Sequence, residues 1–149
     1  MNQSHNTTIA ITLFLTLCTT PLCFAADAEV KPDIFGGYHI YNEESGKITT
    51  VSPDGLGGFR YYENATGKSG VIKPDGLGGY KGYSNSGIDS WSIRPDGLGG
   101  SRGFDNTGNS WTTHPDGLGG YRTYEDKSNK GATTVKPDGL SGYRINGRP

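Results

Sequence analysis

The chain has 149 residues, with 14 lysines and arginines against 15 aspartates and glutamates, so its formal net charge at pH 7 is −1. A protein that neutralises phosphates needs a basic surplus, so this balance argues against nucleic acid as a partner and against electrostatic attachment to an anionic membrane. Glycine supplies 25 residues, well above the usual share of about 7%, which indicates a chain rich in turns.

The first 25 residues have the features of a secretory signal. They contain no charged side chain, carry an apolar run from Ile9 to Leu17, and end in Cys23-Phe24-Ala25, which fits a signal-peptidase site. We expect cleavage after Ala25 and a secreted or periplasmic mature domain, residues 26–149, with no transmembrane segment. The alternatives are an uncleaved anchor, for which the run falls short of the roughly 20 apolar residues of a span, and a lipoprotein modified at Cys23.

A six-residue phrase, Pro-Asp-Gly-Leu-Gly-Gly, recurs with small changes through the rest of the chain. Successive copies begin 21, 21, 21, 20 and 22 residues apart. A period of this length is typical of one supersecondary unit stacked on copies of itself. The copies begin at Pro32, Pro53, Pro74, Pro95, Pro115 and Pro137.

The residues on either side of each phrase alternate as in strands. A mostly apolar position lies two residues before each proline, and a polar residue lies directly before it. After the phrase come an aromatic residue, a basic residue, a variable position and a second aromatic residue. Period-two alternation and aromatic enrichment both predict β-strands. The apolar positions before the proline are Val30, Val51, Ile72, Ile93, Thr113 and Val135.

Each unit is therefore predicted to be a strand, a turn and a second strand, because Pro, Asp and Gly are the residues that turns favour. We expect an all-β fold of six tandem β-hairpin repeats of about 21 residues. The sequence leaves open whether they form an open hairpin solenoid or close into a ring. The other loops are expected to be plain surface connections. The predicted hairpins are residues 28–41, 49–62, 70–83, 91–104, 111–124 and 133–145.

Two details of packing follow from the pattern. All five leucines of the expected mature chain occupy the fourth position of the phrase, which suggests that they are buried between successive units.

The register inside each hairpin has two solutions. A symmetric loop places Val51 opposite Arg60, whereas a bulge at the glycine pair places it opposite Phe59.

One segment resembles a known family. Residues 58–67, Gly-Phe-Arg-Tyr-Tyr-Glu-Asn-Ala-Thr-Gly, are similar to the choline-binding or cell-wall-binding β-hairpin repeats of bacterial surface proteins. The resemblance implies hairpins of this period, with aromatic side chains of successive hairpins available to hold a ligand. The basic residue beside the first aromatic position argues against choline itself, because a cation needs an uncharged aromatic cage.

The repeated aspartates are interpreted as turn residues. Each precedes a basic residue by six positions and is expected to accept backbone amides, with an ion pair to the basic residue of its own or the next hairpin. Calcium is the alternative, but one carboxylate per unit is few for a cation that takes 6 to 8 oxygen ligands. We expect neither a metal nor a cofactor.

The candidate binding residues are aromatic: Trp91, Trp111, Tyr61, Tyr62, Tyr83 and Phe104. Trp91 and Trp111 occupy the same repeat position, which holds Gly70 in another unit. A change from Gly to Trp is hard to fit in a closed core, so an exposed platform for a sugar ring or a protein and a place in the core both remain open.

No catalytic residues are predicted, because no nucleophile elbow or Ser-His-carboxylate set is present. We expect a non-enzymatic module that binds carbohydrate, another cell-envelope or cell-surface component, or another protein. The alternative is a structural or adhesive surface scaffold without a small-molecule ligand.

Overall fold

The computed structural model describes residues 27–127 and 132–147, so the expected signal segment lies outside the described residues. Within these ranges the chain forms strands and turns. The twelve strands are β1 (Ala28–Pro32), β2 (Tyr38–Asn42), β3 (Ile48–Pro53), β4 (Phe59–Glu63), β5 (Ser69–Pro74), β6 (Tyr80–Ser84), β7 (Ser90–Pro95), β8 (Ser101–Asp105), β9 (Ser110–Pro115), β10 (Tyr121–Glu125), β11 (Thr133–Pro137) and β12 (Tyr143–Asn146).

The strands form one closed, antiparallel barrel in which each strand pairs with its neighbours in sequence. The ring closes where β1 pairs with β12, with Val30 opposite Tyr143 and Ala28 opposite Ile145. The all-β hairpin fold is therefore confirmed, and of the two predicted arrangements the closed ring is the one that forms. Closure leaves no strand with an unpaired edge, which is the usual liability of an open stack of hairpins.

The repeated phrase forms the loop of each hairpin. In the second unit, Asp54 Oδ1 accepts the amides of Leu56 at 2.8 Å and Gly58 at 2.9 Å, and the Asp54 amide donates to the Gly58 carbonyl. Gly55 and Gly57 have positive φ, which glycine adopts without steric cost. The predicted role of the aspartate as a turn carboxylate is confirmed, and it explains why the phrase tolerates so little change.

The observed register matches neither of the two predicted alternatives. Val51 lies opposite Tyr61, Ser52 opposite Arg60, and Pro53 opposite Phe59. The loop is thus the five residues between the proline and the aromatic residue, and the proline belongs to the strand. Both alternatives were wrong because they placed the loop's end one or two residues off, and a register shift changes which side chains share a face.

The predicted burial of the leucines is wrong. Leu56, Leu77, Leu98, Leu118 and Leu140 are 75–87% exposed, and Phe35, which replaces leucine in the first unit, is 80% exposed. The physical reason is their place in the loop. Each residue is the middle of a five-residue turn whose amide is held by the aspartate, so its side chain lies at the tip, away from the barrel.

The core lies inside the barrel and comes from alternate strand positions. It includes the predicted apolar position before each proline and the first aromatic position after the loop. It also includes the position that the sequence pattern left as variable, two residues after the first aromatic. This third set is Ile40, Tyr61, Gly82, Gly103, Thr123 and Ile145.

This variable position is complementary in size to its partner on the next strand. Tyr61 lies opposite Gly70, Gly82 opposite Trp91, and Gly103 opposite Trp111. A Cβ atom added at Gly82 would overlap the Trp91 indole. In some pairs the large residue is on the first strand and in others it is on the second, so the volume filled by each pair stays similar, as close packing requires.

The two tryptophans therefore belong to the core. Trp91 is 6% exposed and Trp111 is 4% exposed, so the exposed platform, one of the two possibilities that the sequence left open, does not form. The change from Gly70 to Trp at one repeat position is accommodated because the neighbouring strand changes in the opposite sense, from Tyr61 to Gly82.

A first prediction tests the paired packing. Gly82→Ala should destabilise the protein by about 1–3 kcal/mol, because the added methyl group overpacks the site against Trp91. In a Trp91→Ala background the same change should cost less than about 0.5 kcal/mol, since the clash is gone. Urea unfolding of the four proteins measures this cycle. Equal costs in both backgrounds would contradict the pairing.

A second prediction compares two neighbouring apolar residues. Leu98→Ala should change the unfolding free energy by less than about 0.5 kcal/mol, because the side chain is 84% exposed and surface changes are small. Ile93→Ala should cost about 2–5 kcal/mol as a buried truncation. Chemical denaturation of both variants measures the two losses of unfolding free energy. A loss for Leu98→Ala as large as that for Ile93→Ala would show that the leucine is buried.

A third prediction concerns acid stability. The Leu77 amide, then that of Gly79 and the Arg94 guanidinium, hold the pKa of Asp75 below its ordinary value of 3.8. A lowered pKa contributes stability that is complete above the ordinary value and is lost as the pH falls through the folded-state value. Asp75→Asn should therefore be less stable than wild type at pH 7, and the difference should shrink in acid well below pH 3.8.

Asp75→Ala is the comparison variant for this measurement, because it removes the amide acceptor as well as the charge. It should remain less stable than wild type at both pH values in urea unfolding. A stability difference between wild type and Asp75→Asn that stays the same at neutral and acid pH would show that the charge contributes nothing.

Candidate functional site

The barrel has two chemically different ends. The turn end carries the six loops at residues 33–37, 54–58, 75–79, 96–100, 116–120 and 138–142. The connection end carries the loops that join one hairpin to the next, at residues 43–47, 64–68, 85–89 and 106–109, together with residues 126, 127 and 132 of the last connection. The interior between the two ends is filled by the core.

A cavity of about 280 Å³ opens at the connection end. This volume is near the lower end of the range for small-molecule sites, ~300–1,000 Å³. Strands β3, β4 and β7 supply its inner wall with Thr49, Tyr61 and Trp91, and the loops after β4 and β6 form its rim. Trp91 thus lines the cavity while its Cε2, Cζ2 and Nε1 atoms lie against Gly82.

The rim is polar and is braced by hydrogen bonds. The Asn85 amide donates to the Ser69 carbonyl at 2.8 Å, and Asn85 Nδ2 donates to Ser69 Oγ at 2.8 Å. Glu63 Oε1 accepts the Thr66 hydroxyl at 2.6 Å. The Asn85 bonds hold the loop after β6 against the first residue of β5, and the Thr66 bond holds the loop after β4 against the end of its own strand. These polar groups are thus positioned before any ligand arrives, which lowers the entropic cost of binding.

Two carboxylates and a phenol face the cavity. Glu63 and Asp89 both line it, and Lys47 Nζ lies 3.8 Å from Glu63 Oε1. Burial, and then the negative charge of Asp89, raise the pKa of Tyr61. Its hydroxyl therefore keeps its proton at neutral pH and can both donate and accept a hydrogen bond.

These groups suit a small polyhydroxylated ligand. Carboxylate and amide oxygens accept hydrogen bonds from hydroxyl groups, the serine and threonine hydroxyls do both, and the aromatic rings offer an apolar face. Among the described residues there is no group of three or more His, Cys, Asp or Glu placed to hold a metal ion. The cavity lining thus offers hydrogen-bond donors and acceptors together with apolar ring faces.

The structure separates the predicted binding residues into three places. Tyr61 and Trp91 meet at the cavity. Trp111 packs on Gly103 in another part of the interior. Tyr62, Tyr83 and Phe104 point outward, with 44–53% of each side chain exposed, and form a row around the outside of the barrel with Tyr41 and Tyr124.

Cations lie close to this outer aromatic row. The Arg102 guanidinium lies 5.5 Å from the Phe104 ring centroid, and Lys31 Nζ lies 5.6 Å from the Tyr41 ring centroid. Neighbouring members of the row are two strands apart, or about 10 Å, so their rings do not form a cage. This row does not resemble a site for a cationic ligand.

The polar half of the cavity was not predicted from the sequence. Glu63, Asp89 and Asn85 lie at or in the connecting loops, whose variable length suggested plain surface connections. A signal was nevertheless present at Tyr61, the single tyrosine at the variable repeat position. Such a departure from a strict repeat marks a place where one unit differs in what it contacts.

Comparisons of the chain with protein-family models, with curated proteins and with solved structures found no match. Over the part of the chain that the structure describes, no helix is long and apolar enough to cross a bilayer.

Proposed function

We propose that this chain is a secreted or periplasmic, non-enzymatic module that binds carbohydrate or a related cell-envelope component in the cavity at the connection end. The observation that carries the proposal is the cavity of about 280 Å³, in which Tyr61 and Trp91 face Glu63, Asp89 and several hydroxyl and amide groups. The pattern of residues 1–25 supports export.

The size and chemistry of the cavity favour a single sugar ring or the end of a chain. A ring placed against Tyr61 and Trp91 covers apolar surface, and its hydroxyl groups can donate to Glu63 and Asp89. A hydrogen bond to a charged group contributes about 1.5–3 kcal/mol. One or two such bonds, with the rim already braced, give the modest affinity expected of a small site.

The test is a glycan array with the mature protein, followed by calorimetric titration of any ligand found. Asp89→Asn and Glu63→Gln should each weaken binding by about tenfold or more, because each removes a charged acceptor. Glu44→Gln is the matched control: it makes the same change in an equivalent loop, at an exposed residue that does not line the cavity. It should bind as wild type does.

Three outcomes would contradict the proposal. The wild-type protein could bind no glycan on the array, which would favour the scaffold interpretation. Binding could be lost equally in Glu44→Gln, which would place the ligand elsewhere. Turnover of the bound glycan would show that the carboxylates do chemistry and that the module is an enzyme.

A further inference from the structure

The turn end carries a ring of exposed apolar side chains. Five leucines and Phe35 occupy the six loop tips with 75–87% of each side chain exposed, and Ile34 beside Phe35 is 92% exposed. Successive tips are two strands apart, or about 10 Å. Six large apolar side chains exposed at the same end of the molecule exceed the singly scattered ones that a protein surface normally carries, so this end is a candidate interaction site. These tips add nothing to the barrel core.

A belt of mostly basic residues circles the outside of the barrel immediately behind these tips. It consists of the residue before each proline and the residue opposite it on the next strand, as in the pairs Arg94 with Arg102 and Lys73 with Lys81. The belt contains nine of the 14 lysines and arginines of the chain. Its members are Lys31, His39, Ser52, Arg60, Lys73, Lys81, Arg94, Arg102, His114, Arg122, Lys136 and Arg144.

The turn aspartates lie at the same end but reach solvent less than the cations do. The Asp75 side chain is 2% exposed whereas its ion-pair partner Arg94, at 3.5 Å, is 60% exposed. Asp96 is 18% exposed and lies 3.8 Å from His114, which is 53% exposed. Each carboxylate is directed toward its own loop amides, so the outer surface of the turn end is basic.

The near-zero net charge therefore conceals a separation of charge along the barrel. The turn loops and the belt behind them hold nine lysines and arginines against six aspartates and Glu29, which lies 2.9 Å from Lys31. The described part of the connection end holds eight carboxylates against three lysines. The expectation that an anionic membrane would not attract the protein relied on net charge alone. The field of a surface depends on how its charges are distributed.

We propose that the turn end docks on the surface of a lipid bilayer that contains anionic headgroups. The six apolar tips enter the boundary between headgroups and acyl chains, and the basic belt behind them contacts lipid phosphates. Apolar side chains combined with adjacent cations are the combination that binds this interface. The acidic connection end, with its cavity, then faces away from the membrane.

The shape and charge of the turn end favour lipid over other occupants. The tips are six separate points on a ring, and a fluid surface can accept each of them without a matching set of pockets. A second copy of the chain would bring two basic belts face to face, which is repulsive. Nucleic acid would leave the apolar tips among phosphates, where they gain no burial.

The test is co-sedimentation of the mature protein with vesicles of pure phosphatidylcholine and with vesicles that also contain phosphatidylglycerol. We expect binding to the anionic vesicles that weakens as salt is added. Leu77→Ser combined with Leu98→Ser should reduce the apparent affinity by about tenfold or more, because two apolar contacts are lost. Lys73→Gln combined with Lys81→Gln should also reduce it by about tenfold.

Matched controls come from the connection end. Ile88→Ser removes an apolar side chain that is 72% exposed, and Lys47→Gln combined with Lys68→Gln removes two cations there; both variants should bind as wild type does. Circular dichroism checks that every variant is folded. No binding to anionic vesicles at low salt, or equal losses in the controls, would overturn the proposal. So would a dimer that depends on Leu77 and Leu98, since it would make a second copy the occupant.

Discussion

The fold depends on size complementarity between inward-facing side chains that lie opposite each other on adjacent strands. Trp91 fits because Gly82 lies opposite it, and Tyr61 fits because Gly70 does. Without these exchanges the ring would contain either a void or a clash, each of which costs stability. The six units are therefore alike in backbone and different in core, and the barrel closes because neighbouring units compensate for one another.

This filled interior determines where function can reside. The core occupies the centre, so ligands can meet the chain at the two ends or on the outer surface. The connection end departs most from the repeat, and there the loops after β4 and β6 form a cavity with polar walls. The turn end is the most regular part, and its repeated loop presents the same apolar tip and the same basic neighbours six times.

The repeat made much of the fold predictable and concealed part of its packing. The hairpin arrangement followed from the proline spacing, and the turn role of Asp54 followed from its chemistry. The burial predicted for Leu98 was wrong because a constant apolar residue in a repeat need not be buried, and in this loop the constant leucine is exposed. The cavity was only half predictable, because Asp89 lies in a connecting loop and Glu63 lies at the end of the strand that leads into another. These positions vary between units, so a pattern based on repetition does not identify them.

The measurement that most directly tests this account is tryptophan fluorescence of the folded protein with a neutral quencher, because Trp91 and Trp111 are its only tryptophans. If both indoles pack on glycines inside the barrel, the emission should be blue-shifted and largely protected from acrylamide, and it should shift to the red and become accessible on unfolding. Red-shifted, freely quenched emission from the folded protein would place the rings on the surface and contradict the paired packing on which the closed barrel relies.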